Sequence, residues 1–158
     1  MTSRLQAPYT LAPETIKAMM AVETSLRASG LEHSLLELVK LRASQINGCA
    51  YCIHMHTTDA RAHGETEMRL YMLNAWRESS LYNARERAAL AWTDALTRLA
   101  DTGAPDADYA LVKAAFSETE QVHLTLAIGS INAWNRLQVG FRVAHPVEKP
   151  HDAAHDAA

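Results

Sequence analysis

The dipeptide Asn47-Gly48 sits between two stretches of helical periodicity, and this break constrains the fold more than any other feature of the chain. Asn-Gly both stops a helix and turns a chain. Before it, Leu35, Leu38, Val39, Leu41 and Ile46 recur at helical spacing; after it, a second run extends from about Cys49 to Ala62. The pattern predicts two helices folded back on each other as an antiparallel hairpin. The chain's two cysteines, Cys49 and Cys52, follow the break directly as C-x-x-C. A lone pair of thiols at a helix start is a redox or metal signal.

The hairpin decides which residues can meet. Cys49 and Cys52, three apart in the first turn, share a face and are spaced for a disulfide. The free N–H groups and the dipole of that turn favour a thiolate, and on their own favour the more N-terminal Cys49. His56 lies four residues beyond Cys52 and shares its face, so it can take the Cys52 proton directly or through a water. Glu37 is twelve residues before Cys49. On one straight helix the two would lie roughly 18 Å apart. Folded back at Asn47-Gly48, Glu37 lies roughly 15 Å from the turn and His56 roughly 10–12 Å, nearly level. Glu37 therefore meets the imidazole and not the thiols, where a carboxylate orients the ring and raises its basicity.

Other readings of these residues stand beside this one. Ser34-x-x-Glu37 fits a capping box. His56 could be a core histidine, and the cysteines small buried apolar residues. Cys49, Cys52 and His56, with Glu37 or His54 as a fourth ligand, could hold structural zinc, although such sites usually carry a second Cys/His knuckle that this chain lacks.

The pattern Glu37-x11-Cys49-x2-Cys52-x3-His56 resembles the signature of alkylhydroperoxidase D (AhpD)-like proteins of the carboxymuconolactone decarboxylase superfamily. So do the runs SQINGCAYCIHMHTTDARAHGE (44–65), AWRES (75–79), ERAALAWTDALT (86–97) and LAIGSINAWNRL (126–137). The resemblance covers most of residues 13–143. It implies an all-α fold and thiol-dependent reduction of hydroperoxides. Cys52 would attack the peroxide, Cys49 would resolve it, and His56 and Glu37 would relay protons. It further implies a thiol or dihydrolipoyl reductant, a homo-oligomer (trimer or hexamer), and no cofactor or resident metal. Decarboxylation, the superfamily's namesake chemistry, is the alternative enzyme class, but those decarboxylases lack the paired cysteines. A zinc-stabilised oligomeric module is the non-enzymatic alternative. One departure matters. Tyr51 stands where the family carries an additional relay histidine, and a phenol is a poor base, which implies a shorter relay and weaker activity. His54 points away from the Cys52–His56 face and reads as solvated or as a subunit contact.

The remainder of the chain fits one helical domain. Its 158 residues are 48% apolar, with six glycines and five prolines, enough for a proper core. A net charge of −3 without a basic face excludes a nucleic-acid footprint. No apolar run is long enough for a signal peptide or membrane span. The cytoplasm is the expected compartment, where C-x-x-C is more often catalytic than structural.

About seven helices are expected, with no strand. Residues 1–12 read as an extended arm, and 13–143 as the helical domain opening on Pro13 at a first-turn position. Asn83-x-x-Glu86 and Ser117-x-x-Glu120 are capping boxes. The first opens a helix running to about Ala100, with Leu99 inward. The last helix, to about Val139, is apolar nearly all round, as expected of a helix buried centrally or between subunits. On it His123, Asn132 and Asn135 need partners if buried, or else line a pocket near the thiols. Trp76 reads as core or interface packing. Residues 144–158, with His145, His151 and His155 and almost no core-forming residue, read as a disordered tail.

Overall fold

The structure, a computed structural model, describes residues 2–147. The tail expected at 144–158 lies outside them from residue 148 onward. Among the described residues there is no strand. Eight α-helices follow in order: α1 (Pro13–Arg27), α2 (His33–Ile46), α3 (Ala50–Ala62), α4 (Glu67–Met72), α5 (Ala84–Thr97), α6 (Leu99–Thr102), α7 (Asp106–Ala115) and α8 (Glu118–Phe141), with 3-10 turns at Pro8–Thr10 and Leu73–Ala75. The extra helix arises at Arg98, whose backbone (φ −105, ψ 37) ends α5 three residues early. One further turn then closes on Gly103 in the left-handed region. Leu99, expected inside, is 53% exposed as a result. Both capping boxes form, Asn83 with Glu86 and Ser117 with Glu120.

The central helix is α2. Every residue from Leu35 to Ser44 is buried, and the helix packs against α3, α5 and α8. The sequence pattern gives α8 as buried centrally or between subunits; within the single chain it is not the central helix and leaves Val122, Leu126 and Val139 exposed on its outer face. The difference has a physical cause. Glu37, Lys40 and Arg42 make α2 look amphipathic, yet each is buried against a partner. The Lys40 ammonium donates to Glu23 of α1 at 2.8 Å, and Glu23 also accepts from Ser130 at 2.5 Å and from the Trp134 indole at 3.2 Å, both on α8. Arg42 donates to Asp94 of α5 at 2.7 Å; Asp94 also accepts from the indole of Trp76, itself in the core. A buried charge is tolerated only when paired in this way. These ties fix α1, α5 and α8 around α2, and α3 closes the hairpin on its remaining side.

Candidate active site

The hairpin turn is anchored from α8. The Asn47 side-chain amide donates to Asn132 at 2.9 Å and to Asn135 at 2.8 Å. Gly48 takes φ +64, a conformation glycine adopts without the Cβ penalty. Asn135 in turn donates to the Ser44 hydroxyl at 3.1 Å, and the Cys49 amide donates to the Ser44 carbonyl at 3.0 Å. Asn132 and Asn135 are thus satisfied core residues that fix where Cys49 begins the next helix.

Cys49 is the N-cap of α3 and not part of its first turn, since α3 begins at Ala50. Its sulfur accepts the Cys52 amide at 3.4 Å, and the two sulfurs lie within hydrogen-bond distance of each other, 2.7 Å apart. Both are free and buried. The hydrogen bond between the thiols outweighs burial at Cys49 and, with the amides of Cys52 and Tyr51 and the nearby Asn135, lowers its pKa to about 7. The same hydrogen bond, together with burial and the neighbouring charge, pushes Cys52 far above the ordinary thiol range. In the reduced pair the charge therefore rests on Cys49. Absorbance at 240 nm of the reduced protein is expected to show one thiolate with a midpoint near pH 7, and no second one until well above the usual thiol pKa of about 8.5. The Cys49 pKa is depressed relative to the unfolded chain. Its contribution to stability is accordingly full above the unfolded value and is lost as pH falls through about 7.

The Glu37–His56 pair forms as the hairpin geometry predicts. Nδ1 of His56 lies 2.7 Å from Oε2 of Glu37, with both side chains buried. Burial opposes ionisation of Glu37, but the His56 hydrogen bond and the charges of His56 and Lys40 prevail, and its pKa lies below the ordinary carboxylate value. The capping reading of Glu37 is excluded, because α2 starts after Glu32 without a side-chain cap. His56 makes no hydrogen bond to Cys52; its Nε2 is buried and has no partner within the protein. The direct form of the expected His56–Cys52 contact is thus not made. Instead both residues, with Glu37, line one cavity of about 260 Å³ that Cys49 does not line. Its walls include Ile16, Met20, Tyr51, Met55, Ile131 and Trp134.

The zinc ligand set weighed for Cys49, Cys52 and His56 does not converge among the described residues. Among the described residues, the donor atoms that converge are those of Glu37, His56 and Asp59, within 4.8 Å of one another, with no thiol among them. His54 is half-buried and stacks on His145, ring centroids 5.5 Å apart. The aperiodic arm hid one residue of the cavity wall, Tyr9. Charge pairing hid Lys40 and Glu23, which also line it.

The domain is all-helical, with a buried dithiol at a helix N-terminus and a carboxylate–imidazole pair lining one cavity with Cys52. The chain belongs to the carboxymuconolactone decarboxylase family, whose profile matches residues 13–95. It is 44% identical over 131 residues, 83% of this chain and 89% of the relative, to the uncharacterized protein YdfG of Bacillus subtilis (strain 168). It also matches the crystal structure of a protein of unknown function from Agrobacterium tumefaciens, proposed to be the antioxidant defence protein AhpD. That match has a TM-score of 0.89 and 48% identity, and covers 93% of this chain and 100% of that one. The debrominase Bmp8 shares the fold at a TM-score of 0.79 with 18% identity, over 87% of this chain and 74% of its own. No described helix is long and apolar enough to cross a membrane.

Proposed function

We propose that the protein reduces organic hydroperoxides with the Cys49/Cys52 pair, in a compartment such as the cytoplasm that keeps the pair reduced. One observation carries this reading: from the cavity inward, the order is open space, Cys52, then Cys49. A hydroperoxide entering the cavity meets Cys52 before Cys49, with His56 in the wall of the same cavity. Cys52 gives its proton to His56, through a water or the substrate's own hydroxyl, or to the Cys49 thiolate 2.7 Å away. The Cys52 sulfur attacks the terminal oxygen; an S–O bond forms, the O–O bond breaks, and the alkoxide leaves and takes up the proton as an alcohol. The Cys49 sulfur then displaces hydroxide from the Cys52 sulfenic acid, which leaves as water and closes the disulfide. The sulfurs already lie 2.7 Å apart, against about 2.05 Å in a disulfide. A dithiol reductant of the dihydrolipoyl kind restores the pair by exchange.

Charge and access favour different cysteines. The resting thiolate is Cys49, but it lies behind Cys52 and does not line the cavity. A nucleophile must reach the peroxide before its ionisation matters, so access supports Cys52 in that role. Glu37 holds His56 by Nδ1, leaving Nε2 to the cavity side. The exposed apolar residues Val122 and Leu126 of α8 suit a homo-oligomer, trimer or hexamer, which light scattering on the full chain tests. The function itself is tested by adding one equivalent of cumene hydroperoxide to the reduced protein. Expected is loss of both free thiols to an intramolecular disulfide, with one equivalent of cumyl alcohol; retention of both thiols after prolonged exposure contradicts the reading.

A further inference from the structure

Three buried polar atoms of residues lining the Cys52 cavity make no hydrogen bond of ordinary length within the protein: Nε2 of His56, the hydroxyl of Tyr9 and Oε1 of Gln138, the Gln138 side chain lying close enough to the Tyr9 hydroxyl to act on its pKa. Buried polar groups are rarely left so, and three around one cavity mark a place where a polar ligand group binds. His56 and Gln138 come from helices of the core. Tyr9 comes from the N-terminal arm, and the arm is built to deliver it. The Arg4 amide and guanidinium donate to the carbonyls of Phe141 and Gly140, both at 2.9 Å, which ties the arm to the end of α8. Ala7 then takes a left-handed conformation (φ 46, ψ 57) that residues with a Cβ seldom adopt. Such backbone strain is often found at functional sites. The single 3-10 turn Pro8–Thr10 that follows sets the Tyr9 ring edge-on to Trp134, with centroids 6.3 Å apart.

We propose that Tyr9 is a catalytic residue of this site, donating a hydrogen bond to the oxygen that leaves when Cys52 attacks a hydroperoxide. The inference rests on the hydroperoxide reading and adds to its first step a fixed neutral donor for the leaving oxygen. An alkyl hydroperoxide expels an alkoxide, a strongly basic leaving group, into a cavity with apolar walls. A fixed donor aimed at developing negative charge is worth far more there than in water. Protonated His56 supplies the proton itself, and Gln138 presents its carbonyl oxygen, an acceptor. Among the buried unpaired atoms the Tyr9 hydroxyl is the neutral donor that can hold the departing oxygen; Tyr51, the other phenol lining the cavity, is not among them. Burial outweighs the neighbouring Gln138 side chain and holds the Tyr9 pKa above the ordinary phenol value, so Tyr9 keeps its proton at neutral pH. The electron and atom balance is that of the step above: the S–O bond forms at Cys52, the O–O bond breaks, and the departing oxygen, held by the Tyr9 O–H, is protonated by His56 to give the alcohol.

The test varies the leaving group. Reduced wild-type protein and Tyr9→Phe are mixed in single turnover with tert-butyl hydroperoxide, which expels an alkoxide, and with peracetic acid, which expels weakly basic acetate. Tyr9→Phe keeps the contact with Trp134 and is expected to lose about 10²–10³-fold with tert-butyl hydroperoxide, the usual cost of one such donor, but less than about 3-fold with peracetic acid. Because the readout is a ratio on one protein sample, partial unfolding cancels; Tyr9→Leu, which also removes the ring, is expected to show the same selectivity. Equal losses with both oxidants, or none, overturn the role of Tyr9 and leave the hydroperoxide reading standing. A wild-type protein inert to tert-butyl hydroperoxide overturns both.

Discussion

Replacing Cys52 with serine is expected to abolish the reaction of the reduced protein with an alkyl hydroperoxide, a loss of about 10³-fold or more, as for removal of a catalytic nucleophile. The fold should be untouched, because the hydroxyl is close in size and the site retains the Asn135, Ser44 and Asn47 framework. The effect on Cys49 gives a second readout. Loss of the thiol hydrogen-bonded to it replaces the main cause of the lowered Cys49 pKa with a weaker one, so its thiolate should appear at higher pH than about 7. Stopped-flow tryptophan fluorescence and the 240 nm titration measure the two consequences separately. If Cys49 were the nucleophile, the Cys52→Ser protein would react at close to the wild-type rate and would accumulate oxidised Cys49.

The second large effect concerns the relay. His56→Ala is expected to slow the first step by about 10²–10⁴-fold, the usual contribution of a positioned base. Glu37→Gln keeps the shape at 2.7 Å from Nδ1 but removes the charge that orients and polarises the ring. A partner of that kind is worth about 10–100-fold. The order His56→Ala worse than Glu37→Gln, with the double variant no worse than His56→Ala alone, is the signature of residues acting in series. Independent, multiplicative losses would show that Glu37 acts on the site by some other path. Cys49, also able to take the Cys52 proton, sets a floor beneath the His56→Ala rate.

The site was legible in the sequence where it depends on spacing along helices. Asn47-Gly48 and the rise per residue place Glu37 level with His56, and the structure brings them to 2.7 Å. C-x-x-C after a turn gives the dithiol, though the cap position of Cys49 comes from the turn's own hydrogen bonds. What the sequence hides is non-local. Nothing local marks Lys40 and Arg42 as buried, and only Glu23 and Asp94, from other helices, make their burial possible. The same pairing hid α2 as the central helix, while α8, read as buried centrally or between subunits, keeps an apolar outer face exposed within the single chain. Tyr9 lies on an aperiodic arm, where no pattern indicates what a side chain faces; its place depends on ties to residues more than a hundred positions away. The cavity is likewise assembled from α1, α2, α3, α8 and the arm, and no single stretch contains it.

The central claim is that Cys52 meets the peroxide and Cys49 resolves it. Dimedone labelling of the Cys49→Ser protein, followed by peptide mass spectrometry after one equivalent of cumene hydroperoxide, tests it most directly, because without a resolving thiol the sulfenic acid persists. The account predicts a stoichiometric label on Cys52 in Cys49→Ser and no fast labelling in Cys52→Ser. A label on Cys49 in the Cys52→Ser protein, formed at the wild-type rate, contradicts it.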